Sequence, residues 1–452
     1  MANSKNVKKE ENEMEKKQKN LGQLFVPICL EIMFYMLAGV IDTLMLSTVG
    51  DQAVGAVGTA NTYIGMFIIM FSIISSGMIA VMTQYIGAGK NGIAYQAKQI
   101  GLVFNAVLGV GMSAMLFLCS EMILKTVGIA DSLLPYAVTY LKIVGGFSIL
   151  NAIIPIFSSY LRAFGFTKQP LLATICGNVI NLILNSVFLF VFHFGVAGVA
   201  CATVISRVVN LLIVMWSSHK MVKAKQDPER IENRKVLQNI IKVGLPSAFE
   251  TALYNVAMTL IISFLNKMDH EGVNVTARSY AMQIANFSYC VGAALAQANA
   301  IMTGWRIGAH EYEECDRGTK KAAAIGIIVA AAIATLFAFS SGVIMRLFSD
   351  DPVMITLVGK LLAVDIVLEI GRVSNLVFGN ALKTSGDAIF PTIIAAVFMY
   401  LCAVAGTYVF GICMELYVVG AYIAMALDEC VRAIFMFARW NTGKWRQKGF
   451  LS

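Results

Sequence analysis

Long apolar runs separated by short polar breaks dominate the chain. From residue 24 onward twelve such runs stand out, at 24–47, 53–83, 99–119, 133–160, 170–192, 196–218, 240–265, 278–305, 322–345, 354–382, 388–411 and 417–438. Each is long enough to cross a hydrocarbon core about 30 Å thick as a helix. A membrane β-strand alternates apolar and polar residues, whereas stretches such as Ile64 to Met82 are apolar on every face, which excludes a β-barrel. The pattern predicts an all-α polytopic membrane protein with twelve transmembrane helices.

The runs repeat. Pro27-x-x-x-Glu31-x-x-x-Tyr35 recurs as Pro246-x-x-x-Glu250-x-x-x-Tyr254, and Met82-Thr83 with Ile86-Gly87-Ala88 recurs as Met302-Thr303 with Ile307-Gly308-Ala309. Leu161-Arg162-x-x-Gly165 and Pro170 return as Leu382-Lys383-x-x-Gly386 and Pro391, and Val196-x-Gly198 as Val418-x-Gly420. Four matches in order point to a duplication. Because six spans is an even number, both halves start on the same side of the membrane. They form two six-helix lobes related by a pseudo-two-fold axis along the membrane normal, a plan that encloses a central cavity and alternates access by rocking. The expected divisions are an N-terminal tail at 1–23, an N-lobe at 24–219, a polar linker at 220–239, a C-lobe at 240–438 and a C-terminal tail at 439–452.

Composition agrees: 58% of residues are hydrophobic and 14% charged, where soluble domains carry roughly 25% charge. The net charge of +8 could suggest a nucleic-acid partner, but the basic residues sit in short loops and tails. With the N-terminal tail in the cytoplasm, the inward side collects about 26 basic residues and the outward side about 4, which places both termini and the linker in the cytoplasm of a multi-pass cell-membrane protein. Six Lys and four Glu in the first twenty residues, with no apolar run, read as a solvated tail without a cleavable signal peptide. Trp216, Trp305, Trp440 and Trp445 fall near the inward ends and read as an interfacial belt. The nine cysteines lack C-x-x-C spacing and read as free thiols among helices.

Enzyme chemistry is not in evidence. Gly87-Ala88-Gly89-Lys90 lacks the first glycine and the hydroxyl residue of a nucleotide-binding loop, and His-Glu-x-x-His and Gly-x-Ser-x-Gly are absent. No cofactor is implied. Ionisable groups at membrane depth are costly and mark ion or substrate pathways. Glu31 and Asp42 lie eleven residues apart on the first span, about three turns and within about 20° of one helix face. Each either serves a pathway or is tied to the backbone or the interface. Asn178, Asn181 and Asn185 lie on the fifth span and Thr203 in a small-residue stretch of the sixth. Beside a carboxylate, amide and hydroxyl oxygens can take a hard cation such as Na⁺, the carboxylate alone can take a proton, and the asparagines can equally just join helices. The second half offers Glu250, then Asp365, Glu369 and Arg372 on the tenth span and Asp428, Glu429 and Arg432 on the twelfth. These form either a structural charge network or a gating switch, with Arg372 expected on Glu369 and Asp365, and Arg432 on Asp428 and Glu429.

Val40-Ile-Asp42-Thr-Leu-Met, Gln84-Tyr-Ile-Gly-Ala-Gly89, Leu161-Arg162-Ala-Phe-Gly165 with Pro170, Asn181 to Asn185 and Gly198 to Thr203 together resemble the multidrug and toxic compound extrusion (MATE) family, in a bacterial branch. The resemblance runs from about 24 to 445. It implies a monomeric antiporter that expels amphipathic or cationic organic compounds in exchange for H⁺ or Na⁺. Asp42, Asn181, Asn185 and Thr203 match that family's N-lobe cation site, with Asn185 standing where some members have Asp. Glu250 matches the acidic residue of the seventh span. Arg372 stands on the tenth span near where some members place an Asp. A flippase for lipid-linked cell-envelope precursors and, further off, a channel are the alternatives.

Overall fold

A computed structural model describes residues 19–451 except 127, 224–226, 269–271 and 347. The tail at 1–18 lies outside the described residues, so its solvated reading is not addressed. Among the described residues every regular element is helical. In order these are α1 (Leu21–Ser47), α2 (Asp51–Gly87), α3 (Asn91–Thr126), α4 (Leu134–Gly145 and Ile149–Ala163, bent by 43° at the break), α5 (Lys168–Val191) and α6 (Gly195–Met221). The second half follows the same plan with α7 (Asn233–Met268), α8 (Val273–Gly308), α9 (Tyr312–Met345), α10 (Pro352–Thr384), α11 (Ile389–Cys413) and α12 (Tyr417–Asn441). Eight of these are long and apolar enough to cross a membrane, or nine when the bent pair counts as one span. The other three, α8, α10 and α12, contain Arg278, the Asp365–Glu369–Arg372 group and the Asp428–Glu429–Arg432 group, all on lobe-interior helices.

The duplication is visible in how helices stop. Gly165 (φ +79°) ends α4 with Phe166 N–H on the Leu161 carbonyl and Gly165 N–H on that of Arg162, both 2.8 Å. Gly386 (φ +96°) ends α10 with the same two bonds, to Leu382 and Lys383 at 3.0 Å. Glycine is the residue that takes this left-handed cap without a Cβ clash.

The start of α1, the described linker residues and the segment after α12 lie at one end of the bundle, the basal end, where Lys19 donates to the Gly165 carbonyl, Gly92 N–H to Asp227 and the Tyr85 hydroxyl to the Phe450 carbonyl. There the lobes share their packing. One core mixes Met78 and Tyr160 of the N-lobe with Val236 and Ile240 of α7, and another joins Leu24 and Ile28 of α1 to Ala298 and Ile301 of α8. At the other end each lobe keeps a core to itself, Leu46 to Val204 in one and Ile261 to Ala426 in the other. The basal seam is backbone on backbone. A Cβ on Gly77 would stand 1.9 Å from the Ile240 carbonyl oxygen, and one on Gly244 1.7 Å from that of Ile73. A Cβ on the repeat-related Gly87 or Gly308 would likewise stand 2.0 Å from the carbonyl oxygen of Trp305 or Gln84.

The tryptophans do not form one belt. Trp216 is exposed, but Trp305, Trp440 and Trp445 are buried, because each indole N–H finds a protein acceptor: Ala163 O, Asp316 Oδ1 and Trp440 O, respectively.

Candidate ion-coupling sites of the two lobes

In the N-lobe, α1 brings Asp42 against α5. Asn185 is fully buried and donates through Nδ2 both to Asp42 Oδ1 (2.9 Å) and to Asn181 Oδ1 (3.1 Å). A π-helical stretch at Val187–Val191 follows directly, a distortion often found at functional sites. From α6, Thr203 bonds its own Val199 carbonyl at 2.9 Å, and the buried Tyr140 of α4 lies near Thr203 and Asn61 of α2. Arg207, one turn beyond Thr203, lies near both Asp42 and Tyr140, and among the described residues its buried Nη1 has no hydrogen-bond partner. Asn185 Oδ1 is likewise unpaired. Asp42, Asn181 and Asn185 are therefore joined by hydrogen bonds, with Thr203 bonded within its own helix beside Tyr140. Tyr140, Asn61 and Arg207 join them, and only Arg207 carried a sequence signal, as a charge inside a span. Asn178 turns away and donates to the Phe34 carbonyl at 2.9 Å.

Glu31 is not part of this cluster. Its Oε1 meets Arg162 Nη2 at 2.6 Å, because the capped end of α4 delivers Arg162 beside α1. Glu250 pairs with Lys383 at 2.9 Å in the same way at the end of α10. Opposite charges recurring in both copies of the repeat were the available signal for these pairs.

In the C-lobe, Gly371 lets α10 cross α12 closely, since a Cβ there would meet the Cys430 amide nitrogen at 2.7 Å. Arg372 hydrogen-bonds Glu369 and lies 3.8 Å from Glu429. Arg432 pairs with Asp428 at 2.7 Å and with Glu429 at 2.9 Å, while Asn375 donates to the other Glu429 oxygen at 2.9 Å. Glu429 thus serves both arginines. Asp365, expected as a partner of Arg372, makes no ion pair among the described residues, although it is only 3% exposed. The correction follows from geometry: the crossing at Gly371 brings Glu429 to Arg372, so the second partner comes from the neighbouring helix. Four carboxylates face two guanidinium groups, an excess that protons or a cation can neutralise. Among the described residues no three His, Cys, Asp or Glu converge as metal ligands.

The sequence model of the MatE family matches residues 27–187 and 246–409, so the two matched blocks fall one in each half of the duplication. The chain belongs to this family of transporters. It is 32% identical over 436 residues to the uncharacterized transporter YisQ of Bacillus subtilis, covering 95% of each chain. It is 23% identical over 445 residues to a probable multidrug resistance protein NorM of Thermotoga maritima, covering 96% of this chain and 94% of that one. Among solved structures, a MATE in the bent conformation superposes with a TM-score of 0.86 at 20% identity, covering 94% of this chain and 96% of the other. A multidrug resistance MATE family transporter of the MOP superfamily in an outward-facing conformation gives the same values. Twelve membrane-spanning helices in two lobes are the fold of these structures, and the protein is a multi-pass membrane transporter rather than an enzyme.

Proposed function

We propose that the protein is a secondary active antiporter that exports amphipathic or cationic organic compounds in exchange for H⁺ or Na⁺ by alternating access. One observation carries the reading: each lobe holds its own buried polar site and its own core, and among the described residues the cores that the lobes share gather toward the basal end. Two rigid bodies joined at one end can rock about that joint, and an ion that binds the two states unequally drives the change. The basal end, with both termini and the 220–239 linker, is assigned to the cytoplasm by its basic residues, so the described state is closed inward. Asp42 is assigned as the N-lobe coupling carboxylate, with Asn181, Asn185 and Thr203 shaping its site and Na⁺ or H⁺ as the exchanged ion. Glu250 and the α10–α12 charges are assigned to the C-lobe's response. Multidrug resistance in the names of several relatives supports the substrate class.

The test is export of ethidium from proteoliposomes under imposed H⁺ and Na⁺ gradients applied separately. Parent protein should respond to one of the two, and Asp42→Asn, which keeps shape but not charge, to neither. Equal gradient-driven export by Asp42→Asn and parent would remove Asp42 from the mechanism.

A further inference from the structure

The described segment that follows α12 is docked onto the bundle. Gly443, in the left-handed conformation (φ +68°), reverses the backbone after α12, and a short helical turn at Lys444–Gln447 follows. This seats Trp445 against Trp440, ring on ring, with centroids 4.2 Å apart and planes 8° from parallel. Trp445 belongs to the C-lobe core with Phe378 and Trp440, and its indole N–H donates to the Trp440 carbonyl at 3.0 Å. Two ion pairs flank it: Arg446 with Glu313 at 2.7 Å, and Lys448 with Asp387 at 3.3 Å. The Lys448 carbonyl lies over Gly386, where a Cβ would come within 2.2 Å.

Two residues further on the chain has changed lobes. Phe450 is buried with Ile74, Met78 and Tyr85 of α2. Its N–H donates to Gln84 Oε1 at 2.9 Å and its carbonyl accepts from the Tyr85 hydroxyl at 2.9 Å. The same Gln84 side chain donates through Nε2 to the carbonyl of Thr384, at the end of α10, at 2.6 Å. The segment is therefore anchored by an indole in the C-lobe and by two hydrogen bonds to α2 of the N-lobe, with the Phe450 ring seated in the seam between α2 and Gly386 and Ala388 of the C-lobe.

We propose that residues 444–451 are a built-in latch that holds the lobes together at the basal end, and that Phe450 must leave its seat on α2 before that end can open. The proposal rests on the alternating-access reading. It assigns the tail a conformational role beyond that reading, because the ion sites lie elsewhere in the lobes. Burying Trp445 and Phe450 costs backbone entropy at a chain end that would otherwise fray, so the docking needs the favourable contacts described here. Those on the Phe450 side exist only while the lobes are closed.

The experiment uses the full-length, reconstituted protein in a cysteine-free background with Thr83→Cys. Thr83 is wholly buried in the seam against Gly304 and changes little in size. The readout is the rate at which a membrane-impermeant maleimide reaches this position from the basal side. Two variants release the latch without touching Trp445 or the ion sites: a stop after Lys448, and Phe450→Ala. The stop removes the buried ring and both backbone hydrogen bonds and Phe450→Ala the ring alone, so labelling should speed by about 5- to 30-fold, most in the truncated protein. Tyr85→Phe, which removes one hydrogen bond, should give a smaller increase. Labelling that accelerates in the parent under an imposed H⁺ or Na⁺ gradient, but is the same in parent and truncated protein, would overturn the latch and leave alternating access standing. Labelling that never occurs in any variant under either gradient would overturn both.

Discussion

Glu250 and Lys383 meet at 2.9 Å at the positions that the internal repeat maps onto Glu31 and Arg162, which meet at 2.6 Å. Each pair ties the first helix of its lobe to a glycine-capped helix end. With equivalent pairs in both halves, each holds its lobe together, in addition to any part Glu250 takes in the C-lobe's response. Neutralising one partner leaves a charge with little water around it. Glu31→Gln and Glu250→Gln should each lower stability by about 1 to 3 kcal/mol, less than the roughly 3 to 5 for fully buried pairs because all four side chains keep some exposure. Exchanging charges within a pair, as in Glu250→Lys with Lys383→Glu, should recover part of that loss. Thermal midpoints in detergent measure both effects, and equal midpoints for single and exchanged variants would contradict the pairing.

Glu429 is the shared acceptor of Arg372, Arg432 and Asn375. Its neutralisation therefore weakens two guanidinium groups at once, whereas Asp365→Asn breaks no ion pair. Glu429→Gln is expected to destabilise the C-lobe by about 3 to 5 kcal/mol and Asp365→Asn by far less. Yield and melting temperature of the two variants side by side decide the ranking.

Gly244 admits no side chain, since the Ile73 carbonyl oxygen would stand 1.7 Å from its Cβ. Gly244→Ala should force α7 off α2 while each lobe keeps its private core. The expected result is folded protein with a basal seam permanently open to a maleimide and export reduced at least tenfold, a loss of about 1.4 kcal/mol or more in the closed state. Gly65→Ala, with nothing within 4 Å of the added methyl, serves as the control and should behave as parent.

Asp227, in the segment between the lobes, accepts the Glu229 N–H at 2.9 Å and the Gly92 N–H, at the start of α3, at 2.8 Å. The Glu229 bond, followed by those from Gly92 and Asn91 and the Arg230 charge, holds its carboxyl below the usual carboxylate range against an opposing pull from burial. A depressed folded value means the contribution is complete above the unfolded value, about 3.9, and is lost as pH falls through the folded one. Amide exchange at the start of α3 should thus be faster in Asp227→Asn at neutral pH, after correction for intrinsic rates, with the difference shrinking as acid protonates Asp227 below the ordinary carboxylate range. Equal protection at neutral pH would show that the cap is idle.

The architecture was largely legible because apolar length and a duplicated set of motifs are properties of local sequence. Hydropathy found the runs that became α1 to α12, and the carboxylate Asp42 lies on the Asn181–Asn185 pair, whose spacing of one turn is local. What escaped reading depended on which helices meet. Tyr140 reaches Thr203 only because α4 packs beside α6, and Glu429 reaches Arg372 only through the close crossing at Gly371. Trp445 and Phe450 sit in a basic, polar ending with no periodicity, so nothing local distinguishes a docked segment from a solvated one. Trp305 read as an interfacial residue because its acceptor, the Ala163 carbonyl, belongs to the other lobe.

The glycine seam bears on the mechanics of the joint. Where long side chains interdigitate, two surfaces can slide through intermediate positions while keeping some contact. At Gly77, Gly87, Gly244 and Gly308 peptide backbones abut with nothing between them, and such attraction is largely gone after an ångström or so of separation. The joint behaves as a detent rather than a spring: it is seated or it is not, and intermediate tilts gain nothing from it. Such a stop makes the dwell time of the seated state the quantity that mutations at the seam will alter, while the path between states stays the same.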